Sequence, residues 1–512
     1  MNCKKVCGNL TIFIMFGFYP LFMTNGYYNI TLTKYAIFGT VTLLMSMWVI
    51  LSIFNKHRLW ENQSEITGKI WKNMTMSDKC ILAFMVAELV AFLGSENKYI
   101  AFTGCTNKYM GFFTAMLLTL LYILIRCTET NMIFFTVTAE IADCLIVLFS
   151  IVQFCGIDLL GILQNVEQKM AINYISPLGN TGIFGIYLIL IMPLAIANFC
   201  TAKNHEVKVL SGTTIFLNYM GMLIANTDAT FLGIFIVIIL CAVIYGTDRK
   251  YGKEFLTCLI LMGISGITLR TLFLVVDHRP ISRLGQIALS FPFTTLFLGM
   301  AAVLYFLWGG VVDNKTILLK IKKVIISSTI CGVLLTIGLI IYFSIFNKQA
   351  DLGAAEAYLR MNDAWGSGRG YVWSRLLKIY ASESVWQKVF GAGQGMVLVQ
   401  MLQNYKFEMV QELKYIYDNA HNVYIHYLCT LGIFGVGTYI VMIVNAILDG
   451  MEDSNESFAK IGAITLFACA VTDTVSILQP ITVPFLWIWM ALIQNNKEKL
   501  RNYKNNVEKW KK

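Results

Sequence analysis

The feature that most constrains this chain is a series of fourteen apolar runs separated by polar segments. A helix needs about 20 predominantly apolar residues to cross the hydrocarbon core of a bilayer, and these runs have that length. They lie near residues 9–24, 34–54, 79–94, 109–126, 132–155, 181–199, 207–224, 227–245, 255–276, 287–308, 322–346, 422–447, 457–473 and 475–493. We therefore predict an all-α polytopic membrane helix bundle with fourteen transmembrane helices.

The composition excludes several other classes of protein. Only 14% of the 512 residues are charged and 57% are hydrophobic, whereas a soluble globular domain has about 25% charged residues. A soluble enzyme and a disulfide-stapled secreted module are therefore excluded. No nucleic-acid partner is expected from the net charge of +10, because excess Lys and Arg in a membrane protein mark cytoplasmic loops. The 13 cysteines include no Cys-x-x-Cys pair and no neighbouring histidine cluster, so we predict no metal site and no cofactor.

The distribution of basic residues predicts the orientation. With a cytoplasmic N-terminus, 25 of the 40 Lys and Arg lie inside and 15 outside, and 8 of those 15 fall in the single long loop 347–421. Long loops do not count in the positive-inside rule, so both termini are predicted to be cytoplasmic and the long loop to face outward. No cleavage site follows the first run, which is therefore interpreted as a retained span. The acidic loop 448–460 disagrees, but acidic residues contribute little to this rule.

Four regions follow from this topology. They are an N-terminal bundle of eleven spans (1–346), an extracytoplasmic catalytic loop (347–421), C-terminal spans (422–493) and a basic cytoplasmic tail (494–512). Apolar residues at helical spacing predict two amphipathic helices in the loop, from Trp373 to Phe390 and from Met401 to Tyr417. The glycines of the intervening turn 391–395 have neither the preceding strand nor the following Lys-Ser/Thr of a phosphate-binding loop.

Several short motifs around the long loop occur in a characteristic order. They are Gly368-Arg369 before Trp373, Phe390-Gly391-Ala392-Gly393-Gln394-Gly395, Ala420-His421-Asn422-Val423-Tyr424-Ile425 and Leu431-Gly432-Ile433-Phe434-Gly435. Together they resemble the C-terminal signature of the O-antigen ligase and O-antigen polymerase superfamily of integral membrane glycosyltransferases. Upstream, Pro177-Leu178-Gly179-Asn180 is similar to the family's Asn-bearing turn.

The chain departs from that family in two respects. The family often has a Ser/Thr-Arg pair where this chain has Asn226-Thr227-Asp228-Ala229-Thr230, and the runs 255–276 and 287–308 are additional. A second cation for phosphate must therefore come from elsewhere, and an extra outer turn offers Arg270, Arg279 and Arg283.

The resemblance implies transfer of a glycan from an undecaprenyl-pyrophosphate carrier to an acceptor hydroxyl, without a metal, at the outer face of the bacterial cytoplasmic (inner) membrane. We favour a polymerase that joins repeat units into a surface polysaccharide of the cell envelope. The alternatives are O-antigen ligase-type transfer to another acceptor and a polysaccharide flippase or other transporter, although the two halves of the chain lack the matching hydropathy common in transporters. The implied partners are the lipid-linked glycan, the lipid bilayer and other polysaccharide-assembly membrane proteins.

The chemistry assigns roles to particular residues. His421 is the candidate base for the acceptor hydroxyl, and Arg369 is the first candidate cation for the pyrophosphate. The other substrate-binding candidates are Arg375, Arg279, Arg283, Arg270, Asn422, Asn419, Asp228 and Asn180. The structural alternatives are that the arginines contact lipid headgroups and that His421 caps a helix. For Glu88, Glu140 and Asp143, a structural pair and a water-filled cleft are equally compatible with the sequence.

Overall fold

The computed structural model describes residues 3–56, 74–164, 166–167, 170–312, 314–452 and 458–511. In this part of the chain the helices are α1 (Cys3–Ile12), α2 (Ile30–Lys56), α3 (Met76–Gly94), α4 (Lys98–Thr103), α5 (Phe112–Cys127), α6 (Met132–Phe154), α7 (Thr181–Thr201), α8 (His205–Ala225), α9 (Asp228–Cys241), α10 (Gly252–Val275), α11 (Arg283–Ala288), α12 (Phe291–Val312), α13 (Lys315–Ile341), α14 (Glu356–Leu359), α15 (Trp365–Ser382), α16 (Val385–Phe390), α17 (Met396–Phe407), α18 (Val423–Met451), α19 (Phe458–Thr472) and α20 (Val483–Lys511). Short π-helical turns are Phe13–Phe18, Ala242–Gly246, Tyr342–Phe346 and Glu408–Glu412, and 3-10 turns are Ala171–Asn173 and Gly353–Ala355. One antiparallel hairpin joins β1 (Tyr174–Ile175) to β2 (Gly179–Asn180).

The helices confirm an all-α polytopic membrane bundle. Nine of those in the described ranges are long and apolar enough to cross a membrane, and α5 and α19 are shorter apolar helices. Each of the fourteen apolar runs contains a helix, although the last begins only at Val483. The number of crossings, their direction and the four regions stay predictions. Most of the predicted basic loop 55–79, part of the acidic loop 448–460, and the tail side chains from residue 500 onward lie outside the described residues.

Helix α7 forms the centre of the bundle. It is apolar on all sides, which is typical of a helix surrounded by others, and 89% of its most apolar window is buried. Helices α6, α8, α9, α10 and α19 all contact it. In contrast, the corresponding window of α13 is 0% buried, so this helix lies at the periphery.

The acidic side chains within the bundle accept hydrogen bonds from neutral side chains. The donors and acceptors are Ser211 to Glu140 (2.9 Å), Asn198 to Glu140 (3.2 Å), Asn218 to Asp143 (3.0 Å) and Gln394 to Glu88 (2.8 Å). Burying a polar group without a partner is costly, and these pairs remove part of that cost. The contacts favour the structural interpretation of these three acids.

The long loop packs on one end of the bundle, which we call the loop side. There Arg369 contacts Asp228 at the start of α9, and the backbone N–H of Val423 donates to the carbonyl oxygen of Asp473 after α19, at 2.8 Å. At the opposite end, Arg126 at the end of α5 forms an ion pair with Asp78 at the start of α3. Polar contacts between separate parts of the chain therefore occur at both ends of the bundle.

The helices of the loop differ from their predicted bounds. The predicted helix Trp373–Phe390 is two helices, α15 and α16, because the Ser384 side chain accepts from the Gln387 backbone N–H and begins a new helix. The second predicted helix ends at Glu412 with its π-helical turn, so residues 413–422 are irregular. Hydrophobic spacing predicted helical character here but not the interruptions.

Candidate active site

A cavity of about 680 Å³ opens at the loop side, between the long loop and the first residues of α2 and α7. Ligand sites typically have volumes of about 300–1,000 Å³. The polar side chains in its wall include Arg369, Asn419, His421 and Asn180. The cavity therefore brings together candidate residues from the N-terminal bundle, which contributes Asn180, and from the long loop, which contributes the other three.

Arg369 reaches the cavity from a left-handed turn. Gly366, Ser367 and Gly368 have φ values of 58°, 62° and 92°, a conformation that glycine adopts without steric cost. A Cβ atom on Gly368 would lie 2.3 Å from the hydroxyl oxygen of Tyr417. The turn thus sets the direction of Arg369 independently of the helix that follows.

The guanidinium of Arg369 is held from one side. Its Nη1 donates to Asp228 Oδ2 at 3.1 Å and to the Gly366 carbonyl oxygen at 2.9 Å. Its buried Nε has no hydrogen-bond partner among the described residues. Donor groups that no protein acceptor uses are therefore available for an anionic ligand after a small movement of the side chain.

His421 stands at the end of a chain of polar contacts. Its backbone has φ 48°, and its N–H donates to Asn419 Oδ1 at 2.8 Å. The Asn419 amide donates in turn to Asp418 at 2.7 Å, and Lys108 forms an ion pair with Asp418 at 3.3 Å. No hydrogen bond to the imidazole ring is seen within the described ranges. The backbone of His421 is fixed while its ring remains available to the cavity.

The surroundings keep the imidazole of His421 neutral. Burial, and after it the positive charges of Arg369 and Lys108, lower its pKa from the usual 6.5 to about 4, against an opposing contribution from Asp418. At neutral pH the ring therefore has a free lone pair that can accept a proton.

Asn422 caps the helix that follows His421. Its side chain accepts from the backbone N–H of Ile425 at 3.0 Å, as an N-cap residue does. Asn422 also lines a separate cavity of about 20 Å³ between His421 and His426, which is about the size needed for one water molecule. The contacts of Asn422 favour a structural role over sugar binding.

The glycine turn 391–395 is a joint between the loop and α18. Gly432 has φ 69° and interrupts α18, so that the backbone N–H of Gly393 can donate to the Thr430 carbonyl oxygen at 2.9 Å. A Cβ atom on Gly391 would lie 2.1 Å from that same oxygen. These glycines therefore hold the loop against α18, the helix that follows His421, and do not line the 680 Å³ cavity.

Arg375 lies only six residues from Arg369 but has other partners. It donates to Asp363 at 3.0 Å and to Glu408 at 2.6 Å, and its guanidinium lies 4.4 Å from the ring centroid of Tyr371. The hydrogen bond from Arg375 lowers the pKa of the Glu408 carboxyl group. Arg375 thus links α15 to the π-helical turn after α17 and is already neutralised.

The other predicted arginines are not in the cavity wall. Arg279 donates to the backbone carbonyl oxygens of Ala171 (3.2 Å) and Tyr174 (2.5 Å), and Arg270 lies over the Phe291 ring at 5.8 Å. Arg283 is exposed at the start of α11. Arg279 therefore supports a wall segment of the cavity, since Tyr174 lines it.

Lys108, Tyr27 and Glu167 line the cavity with polar side chains and were not among the predicted site residues. Lys108 comes from the segment between α4 and α5, Tyr27 from the turn before α2, and Glu167 from the segment before β1. Lys108 could have been found as a basic residue between the predicted spans 79–94 and 109–126, on the same predicted side of the membrane as His421. Neither Tyr27 nor Glu167 lies in a motif that would identify it.

Within the described residues, no group of three or more His, Cys, Asp or Glu side chains could hold a metal ion. The cavity wall contains an arginine that can bind an anion and a neutral histidine that can accept a proton.

Comparison with known proteins finds a family model that matches part of the chain. The family model described as O-antigen ligase (Wzy_C) matches residues 281–440, which include Arg369, the glycine turn and His421. No curated protein matches the chain. The resemblance inferred from the motifs is confirmed for residues 281–440, which match the O-antigen ligase family model.

Proposed function

We propose that the protein is a membrane glycosyltransferase that joins undecaprenyl-pyrophosphate-linked oligosaccharide repeat units into a surface polysaccharide. The observation that carries this proposal is that Arg369 and His421 line one cavity. The matched family supports glycan transfer in a membrane more generally.

The proposed reaction is a single displacement. The acceptor hydroxyl oxygen forms a bond to the anomeric carbon of the donor sugar, and the bond from that carbon to the pyrophosphate oxygen breaks. A ring nitrogen of His421 takes the hydroxyl proton, and the polyprenyl pyrophosphate leaves with the electron pair. Arg369 stabilises the negative charge that builds on the leaving group. No metal or other cofactor takes part, so activity should persist in EDTA.

Donor binding itself strengthens the base. Arg369 is one of the positive charges that lower the pKa of His421. An anionic pyrophosphate beside Arg369 offsets that charge and raises the pKa of His421 toward neutral pH, where a general base is most effective. His421 is therefore a weak base in the empty site and a stronger one when the donor is bound.

Ligase-type transfer to another acceptor is the second candidate, and the description of the matched family supports it. The two reactions share the donor and the base and differ only in the acceptor. A transporter would need neither a proton acceptor nor a fixed arginine at this position.

The deciding experiment supplies purified protein in bilayer nanodiscs with an undecaprenyl-pyrophosphate oligosaccharide and separates the products on a gel. A ladder of chain lengths from the wild type, absent from His421→Ala, supports a polymerase. Transfer only after a second acceptor is added supports a ligase. Failure of the wild type with every acceptor, together with transfer of the lipid-linked precursor across the bilayer of sealed proteoliposomes, would indicate a transporter.

We also propose that the loop side faces outward from a bacterial cytoplasmic membrane. Single cysteines at Asn404, on the loop side, and at Lys203, on the opposite side, are both at exposed positions. An impermeant thiol reagent added to intact cells should label the probe at 404 and not the one at 203. The reverse pattern would contradict this orientation.

A further inference from the structure

The segment 157–172 connects α6 to strand β1 and contains no α-helix in its described residues. Four of its apolar side chains point outward with exposed fractions between 46% and 66%: Ile157, Leu159, Leu160 and Ile172. For a non-spanning segment this is a concentrated apolar surface, which we call the outward face.

The exposure of this face results from an ordered turn. The Asp158 carboxylate accepts from the backbone N–H groups of Ile162 (3.0 Å) and Leu163 (2.9 Å). Leu159 and Leu160 therefore form the tip of a closed turn. Ile162, on the other side, is only 7% exposed and packs with residues near the start of α2.

The other side of the same segment forms a wall of the cavity. Val166, Glu167 and Met170 line it. The Arg279 guanidinium donates to the carbonyl oxygen of Ala171, near the end of the segment, and to that of Tyr174 in the strand that follows. The segment thus contributes residues both to the cavity wall and to the outward face.

The exposed apolar surface of α6 continues into the outward face and indicates that lipid covers this face. Helix α6, a candidate membrane span, exposes Ile141, Leu145 and Leu148 at helical spacing just before the segment begins. These side chains face lipid if α6 spans the membrane, and the outward face begins three residues after its end. Apolar side chains at the end of a span are stable when they enter the interfacial region of the bilayer.

We propose that the outward face of residues 157–172 is embedded in the lipid leaflet. The segment is then the wall over which a lipid-linked donor passes from the leaflet into the cavity, a role that rests on the proposed function. A polyprenyl chain can remain in the leaflet on one side of this wall while its pyrophosphate reaches Arg369 on the other.

Membrane contact is tested by fluorescence. A nitrobenzoxadiazole label is attached to Leu160→Cys or, as a control, to Asn404→Cys, in protein whose exposed Cys127 and Cys331 are replaced by serine. In nanodiscs containing phospholipids with doxyl-labelled acyl chains, quenching at 160 should be roughly twofold or more above that at 404. Equal quenching at both positions would overturn the membrane contact.

The entrance role is tested with the double variant Leu159→Glu/Leu160→Glu. Both side chains are largely exposed, so the fold should survive. The KM for a long-chain donor should rise at least tenfold, while kcat and the KM for a short-chain, water-soluble donor stay unchanged. An unchanged KM for the long-chain donor would overturn the entrance role. If the wild type is inactive with both donors, the proposed function fails, and the quenching result still decides the membrane contact.

Discussion

Glu140 in the centre of the bundle and His421 at the loop-side cavity are both enclosed polar side chains, but their polar atoms have different surroundings. The Oε2 atom of Glu140 accepts a hydrogen bond from the Ser211 hydroxyl, and its Oε1 atom accepts one from the Asn198 amide. The His421 ring has no hydrogen-bond partner among the described residues, although its backbone is tightly held. This contrast indicates that an enclosed ionisable residue in this bundle marks a candidate reactive site where its side chain is left unpaired beside space for a ligand.

The largest expected effect is that of His421→Ala. Removing the base should lower the rate of glycan transfer by about 10²–10⁴-fold, with unchanged expression and thermal unfolding. His426→Gln is the matched control, since His426 lies five residues deeper and lines only the small cavity. Product formation by His421→Ala at the wild-type rate would contradict the assignment of His421 as the base.

Arg369→Lys should have the next largest effect. Lysine keeps the charge but lacks the planar fork that can bind a phosphate through two parallel hydrogen bonds, so kcat/KM for the donor should fall by about tenfold to a hundredfold. Arg375→Lys is the control, because two carboxylates already occupy Arg375. Equal losses in the two variants would mean that both arginines act through folding of the loop.

Glu140→Leu tests the interior of the bundle. It leaves the buried Ser211 hydroxyl without its acceptor, so we expect a loss of about 1–3 kcal/mol in the free energy of unfolding. Glu140→Gln, which keeps an acceptor oxygen, should lose less. The KM for the donor should not change in either variant, and an altered KM with unaltered thermal stability would assign Glu140 to the reaction.

The smallest effect is expected from Lys108→Met. Removing this positive charge favours the imidazolium, so the pKa of His421 rises from about 4. Protonated His421 cannot accept a proton, and the acidic limb of the kcat/KM profile should therefore move to higher pH, by less than one unit, while Lys108→Arg leaves it in place. An acidic limb that moves to lower pH would contradict the sign of this interaction.

Much of the site could be predicted from the sequence because its two main residues lie in recognisable motifs on the same predicted side of the membrane. The choice among the arginines could not. Arg369 and Arg375 are six residues apart in one helical segment, but the left-handed turn at 366–368 determines where Arg369 points. Helical periodicity carries no information about such a turn.

Lys108 and the wall segment 157–172 were missed for a different reason. Neither has a hydrophobic period or a motif, and each acquires its role by contact with residues far away in the chain. The contact of Lys108 with Asp418 joins positions 310 residues apart (418 minus 108). Tertiary structure alone brings them together.

The hydrogen bond from Val423 to the carbonyl oxygen of Asp473 has a consequence for biosynthesis. The residue two positions after His421 is anchored to a part of the chain that leaves the ribosome about fifty residues later. A nascent chain inserted up to the end of α18 carries every motif of the signature but not this anchor. Translation must therefore approach its end before the backbone after His421 is anchored, and prematurely terminated products should lack the proposed activity.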